Sequence, residues 1–91
     1  MNAIIHVPLG MIVATPNALA NVSSEEIQRA LQRHVIGDWG ELDAEDKKTN
    51  DLALEFGERL LSAYKSASGT KFWIITESDR SVTTILLPED Y

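Results

Sequence analysis

The last third of the chain carries two β-prone runs, Lys71-Phe72-Trp73-Ile74-Ile75-Thr76 and Val82-Thr83-Thr84-Ile85-Leu86-Leu87, either side of Glu77-Ser78-Asp79-Arg80-Ser81. Branched and aromatic residues at this density suit a pleated, packed surface, and the polar spacer reads as a hairpin loop. Pairing Thr76 with Val82 places Phe72, Ile74, Thr84 and Leu86 on one face. Trp73, Ile75, Thr83, Ile85 and Leu87 take the other. Both faces are then apolar, unlike a hairpin with one side in water. Helices must cover one face. The other needs the N-terminal segment, a second subunit or a partner.

The helices are announced by their caps. Thr15-Pro16 is an N-cap followed by proline at the first helical position, opening a short helical piece through Asn21. Ser23-Ser24-Glu25-Glu26 is a capping box. The helix it starts has Ile27, Ala30, Leu31, His34 and Val35 on one stripe, and Gly37 stands where a left-handed residue would close it. Asp43 caps a further helix with acids in its first turn. Its stripe of Ala53, Phe56, Gly57, Leu60, Leu61 and Tyr64 predicts a long helix running to about Lys65. Upstream, residues 3–7 and 11–14 are short β-prone runs, the second the better strand. The fold class expected is α+β: two to three helices packed on a small antiparallel sheet containing the C-terminal β-hairpin.

Between the second and third helices lies Gly37-Asp38-Trp39-Gly40, which must turn the chain while carrying one of its two tryptophans. A buried Trp39 anchors that corner. An exposed one is a binding hot spot.

At 91 residues the chain suffices for one domain, 1–91, with a single core. It contains no cysteine, which removes disulfides, thiolate nucleophiles and Cys-based zinc sites. Ala18-Leu19-Ala20 has the look of a signal-peptidase site. However, no Lys or Arg precedes the apolar run, and His6, Pro8 and Gly10 interrupt it. A cytoplasmic protein without a membrane span is expected.

The formal charge of −6 is concentrated. Asp38 to Glu58 holds eight acids and two lysines, and outside it six acids balance six bases. Direct nucleic-acid binding through phosphates is disfavoured, whereas a basic protein partner is favoured. The candidate partner-binding residues are Asp38, Trp39, Glu41, Glu45, Asp46, Glu55, Asp79 and Arg80. Asp79 also suits a turn, and Arg80 could reach the acidic segment within the domain.

Candidate chemistry is sparse. His34 near Asp38 could act as an oriented general base, or could be a core-edge histidine bonded to a carbonyl. The acids lack the spacing of a calcium loop, no histidine pair sits at i, i+4, and no phosphate-cradling glycine loop is present. Ser62-Ala63-Tyr64-Lys65 matches Ser-x-x-Lys without the companion motifs that acyl-enzymes need. No cofactor or metal is expected.

The strings Met11-Ile12-Val13-Ala14-Thr15-Pro16-Asn17-Ala18-Leu19, Arg33-His34-Val35, Gly37-Asp38-Trp39-Gly40-Glu41-Leu42, Glu45-Asp46, Asn50, Arg59-Leu60-Leu61-Ser62-Ala63-Tyr64 and Trp73 through Tyr91 resemble a family of small bacterial proteins. These travel on plasmids and mobile elements and are labelled "plasmid-related protein" or "type I restriction endonuclease subunit M". The resemblance implies mobile-element biology and an intracellular location, and it brings no catalytic residues. Methyltransferase chemistry would need a cofactor loop that this chain lacks. The expected function is that of a non-enzymatic, acidic protein-binding module, in concrete form a counter-defence or regulatory inhibitor. The alternatives are a small hydrolase or ribonuclease-type toxin using His34, Asp38 and Arg80, and a structural homodimer subunit.

Overall fold

The computed structural model describes residues 6–91. Their order is β1 (Met11–Ala14), α1 (Pro16–Asn21), α2 (Ser24–Val35), α3 (Ala44–Phe56), β2 (Leu60–Lys65), β3 (Lys71–Thr76) and β4 (Val82–Leu86), with a 3-10 turn at Pro88–Asp90. The class is α+β, with three helices on a four-stranded sheet ordered β1-β4-β3-β2. β2, β3 and β4 are antiparallel neighbours, and β1 adds to β4 in parallel, so the sheet is mixed. The upstream β-prone run at 3–7 lies mostly outside the described residues.

All three expected N-caps form. Thr15, Ser23 and Asp43 each accept a backbone N–H three residues on. The α2 terminus closes as a Schellman motif: Gly37 N–H donates to His34 C=O, and Asp38 N–H reaches back to Arg33 C=O.

The third helix differs from its expected form. It stops at Phe56, because Gly57 adopts the left-handed conformation at φ 72° and ends it. Leu60 to Lys65 form β2 instead, with Leu60, Ser62 and Tyr64 buried and Leu61 and Ala63 half-buried between them. Phe56 is not on a buried stripe; it is 69% exposed.

The hairpin register also shifts by one. Thr76 pairs with Thr83, and Ile74 with Ile85. A one-residue slip exchanges the faces of a strand, so Thr83 and Ile85 lie with Phe72 and Ile74, while Thr84 and Leu86 lie with Trp73 and Ile75. The cause is the loop. Glu77 N–H bonds Val82 C=O, leaving Ser78 to Ser81 as a four-residue connection with Arg80 left-handed at φ 61°.

The helix-facing side of the sheet holds two apolar clusters. One joins Ala18, Val22, Ile27 and Ala30 to Tyr64, Phe72, Ile74 and Ile85. The second joins Val7, Trp39, Ala53 and Leu60. Along β2, Ser62 lies between Leu60 of one cluster and Tyr64 of the other, so a polar seam divides them. The opposite face is partly covered by the chain's own C-terminus: Tyr91 packs edge-on against Trp73 at 5.8 Å, and Arg59 lies over the Tyr91 ring at 5.5 Å.

Candidate functional site

The polar seam accounts for His34. The imidazole is fully buried, with Nδ1 at 2.5 Å from Ser62 Oγ and Nε2 at 2.9 Å from Thr76 Oγ1. Thr76 Oγ1 is 2.8 Å from Thr83 Oγ1, which donates to Leu9 C=O at 2.7 Å. That carbonyl can only accept, and this orders the whole chain. Thr83 donates to Leu9, Thr76 donates to Thr83, and His34 Nε2–H donates to Thr76. Nδ1 is left to accept from Ser62. Every proton is placed with a neutral imidazole. Burial, with Arg80's charge nearby, pushes the His34 pKa down to about 4.

Asp38 does not orient His34. Its carboxylate takes Arg33 Nε at 2.7 Å and the other guanidinium nitrogen at 3.2 Å, and it accepts Gly40 N–H. The hydrogen bond from Arg33 holds Asp38 below the ordinary carboxylate range. His34, Asp38 and Arg80 therefore do not converge on an open cleft. His34 is a satisfied core residue, although its partners are hydroxyls where a backbone carbonyl was the expected one.

The corner after α2 is built tightly. Trp39 is 3% exposed, sets its ring against His34 at 5.6 Å, and donates Nε1–H to Asp51 at 2.8 Å. Trp39 C=O accepts Ala63 N–H, and Glu41 N–H donates to Ala63 C=O, so residues 39–41 run along the outer edge of β2. A Cβ at Gly40 would sit 2.0 Å from Ala63 O at φ 76°, which makes glycine obligatory there. Nearly two turns into α3, Asn50 clamps the same edge, giving its amide to Leu61 C=O and accepting Leu61 N–H. Trp39 thus acts from inside the corner and offers no surface.

Arg80 is also occupied within the chain. Its guanidinium donates to the carbonyls of Glu58 (2.6 Å), Glu77 (3.1 Å) and Ala53 (3.4 Å). It reaches the acidic segment through backbone oxygens, satisfying the end of α3. Asp79 accepts both N–H and Oγ–H of Ser81, hydrogen bonds that lower its pKa. These two residues hold the hairpin loop against the α3 terminus.

The remaining candidates are solvent-facing. Glu41, Glu45, Asp46 and Glu55 are exposed, and none takes part in an ion pair among the described residues. On α3 the buried positions are Asn50 and Ala53. The helical period then turns Glu45, Lys48, Leu52, Glu55 and Phe56 outward together. Leu52 is 47% exposed and Phe56 69%. Sequence reasoning found the acids of this ridge and missed its two apolar residues, because it assigned Phe56 to the core and gave Leu52 no role. Their i, i+4 spacing was the available signal. The described residues contain no cluster of three His, Asp or Glu able to hold a metal, and no helix long and apolar enough to cross a membrane.

Comparison with known proteins finds no matching family model, curated protein or solved structure.

Proposed function

We propose that the protein is a non-enzymatic binding module that docks on another protein through the outward ridge of α3. The observation that carries this reading is the combination of Leu52 and Phe56, exposed one turn apart, with Glu45 and Glu55 unpaired beside them. A helix of this kind suits an apolar groove rimmed by lysine or arginine. Apolar anchors would supply affinity, and the acids would supply rate and orientation. The concentration of the whole net charge in residues 38–58 favours the same class of partner.

A counter-defence or regulatory inhibitor in the cytoplasm of a host carrying a mobile element is the concrete form, supported by the family resemblance of the sequence. Engagement of His34, Asp38 and Arg80 inside the domain weighs against a hydrolase or ribonuclease-type toxin.

The test is affinity capture from the native host with the wild-type chain, with Leu52→Ser/Phe56→Ser, and with Glu45→Gln/Asp46→Asn/Glu55→Gln. One protein should be captured specifically by the wild type and lost with the first variant. With the second it should bind more slowly and with less salt dependence. A partner retained equally by all three sinks the ridge. Loss of a cellular effect on Arg80→Ala, with the fold and every captured partner intact, would instead favour the toxin.

A further inference from the structure

The two edges of the sheet are treated differently. On β2, both outward-facing residues between the strand ends are satisfied: Leu61 by the Asn50 amide, Ala63 by Trp39 and Glu41. On β1, the parallel ladder to β4 uses the main chain of Met11 and Val13, since Met11 N–H donates to Ser81 C=O and Thr15 N–H to Ile85 C=O. The N–H and C=O groups of Ile12 and Ala14 point the other way, where no described residue pairs with them. Unpaired edges in soluble proteins are blunted by lysine, proline, a bulge or a covering element. Met11-Ile12-Val13-Ala14 has no charge, no proline and a regular register. Its side chains are 65%, 50% and 38% exposed at Met11, Ile12 and Val13. Beside it runs a mainly apolar groove of about 460 Å³ between β1 and α2, walled by Leu9, Ile12, Leu31, Val35 and Ile36, with Gln28 and Gln32 also lining it.

We propose that β1 is the interface of a homodimer, in which two copies of the strand pair antiparallel about a two-fold axis and join the sheets into one of eight strands. Centring the axis on Val13 sets Ile12 opposite the partner's Ala14. Each such pair exchanges two main-chain hydrogen bonds, consuming the groups that no described residue pairs on either edge. The two Val13 side chains meet on the open face, and each Ile12 lies toward the groove of the other copy.

Charge favours a second copy over a basic partner here. The −6 lies in residues 38–58, of which 39–41 and Asn50 are fastened to the β2 edge with β3 and β4 intervening, while Arg80 holds the Glu58 end against the β3–β4 loop. At about 4.8 Å per strand, the acidic portions fastened to the two β2 edges of such a dimer stay farther apart than the screening length of about 8 Å at physiological salt. The surfaces brought together carry neither repulsion nor an unpaired charge. The assembly is independent of the α3 ridge, which it leaves open on both outer ends.

The test is sedimentation of the full chain from low to high micromolar concentration, with amide exchange followed at each concentration. The wild type should pass from 10.1 kDa to twice that mass. The Ile12 and Ala14 amides should gain protection in step with it. Ile12→Lys should weaken dimerisation at least about tenfold with an unchanged circular dichroism spectrum, while Leu19→Lys, an exposed apolar site on α1 outside the paired strand, should leave it intact. A monomer at high micromolar concentration overturns the proposal. So does a dimer indifferent to Ile12→Lys, whose interface must lie elsewhere. Protection of Ile12 and Ala14 that does not depend on concentration also overturns it, since the edge is then covered within one chain.

Discussion

α2 and α3 are nearly equal in length, 12 and 13 residues, both begin at a side-chain cap and both end at a left-handed glycine, yet they are held in different ways. α2 lays Ile27 and Ala30 into the main apolar cluster and sinks His34 completely. α3 buries only Asn50 and Ala53, and is fixed by three polar attachments: Asn50 to the β2 edge, Asp51 to Trp39, and Arg80 to its last carbonyls. A helix tied by its polar groups does not need to spend its apolar residues on the core. Leu52 and Phe56 are free to face outward for that reason.

The largest expected effect comes from removing the point where both helices meet. Trp39→Ala should cost about 3–5 kcal/mol in denaturant melts, because a large buried aromatic leaves a cavity and Asp51 loses its donor. A loss below about 1 kcal/mol would mean that the corner does not depend on the indole.

Next is the polar heart of α2. The folded pKa of His34 lies below its unfolded value, so the unfolded chain binds the extra proton first as pH falls. The associated stability is fully present above pH 6.5 and is lost as pH falls toward the folded value of about 4. Over that window unfolding free energy should drop by about 3 kcal/mol from this residue alone. A His34 resonance titrating above pH 6 in nuclear magnetic resonance would refute the buried neutral tautomer.

A smaller change should follow at the α3 clamp. Asn50→Ala leaves Leu61 N–H and C=O unpaired on the β2 edge and should cost about 1–3 kcal/mol. Exchange of the Leu61 amide should rise more than that of any amide in α2.

The smallest effect is on the ridge itself. Leu52→Ser and Phe56→Ser should each change stability by no more than about 0.5 kcal/mol, as exposed positions do. A larger loss would place these side chains in the fold and not at a docking surface.

Much of this arrangement was legible in the residues. The three caps, the end of α2 at Gly37 and the C-terminal hairpin all follow from local chemistry that tertiary packing leaves intact. β2 was hidden for a specific reason. Its buried positions are Leu60, Ser62 and Tyr64, and the serine in the middle breaks the apolar alternation that marks a strand. Ser62 is there because His34, 28 residues away, needs a donor at Nδ1. A stripe of helical period running through Gly57 then looked the stronger signal.

The hairpin register failed for a similar cause. A left-handed position usually advertises itself with Gly or Asn, whereas here it is Arg80, held by the nearby Glu77 carbonyl and by those of Ala53 and Glu58, distant in sequence. The α3 ridge was half visible. Acids show in any count of charges, but an exposed Phe56 can only be told from a buried one once the packed side of the helix is known.

The parallel pairing of β1 with β4 has a consequence for how the chain is made. Met11 finds its ladder partner at Val82, and Thr15 its carboxylate at Asp90, so the earliest of the described strands waits for the latest. During translation α2 and the β2–β3 hairpin can form from neighbouring segments, but Met11-Ile12-Val13-Ala14 emerges bare and must close a separation of 71 residues, from Met11 to Val82. Contacts of such separation slow folding and expose the unpaired strand to other nascent chains.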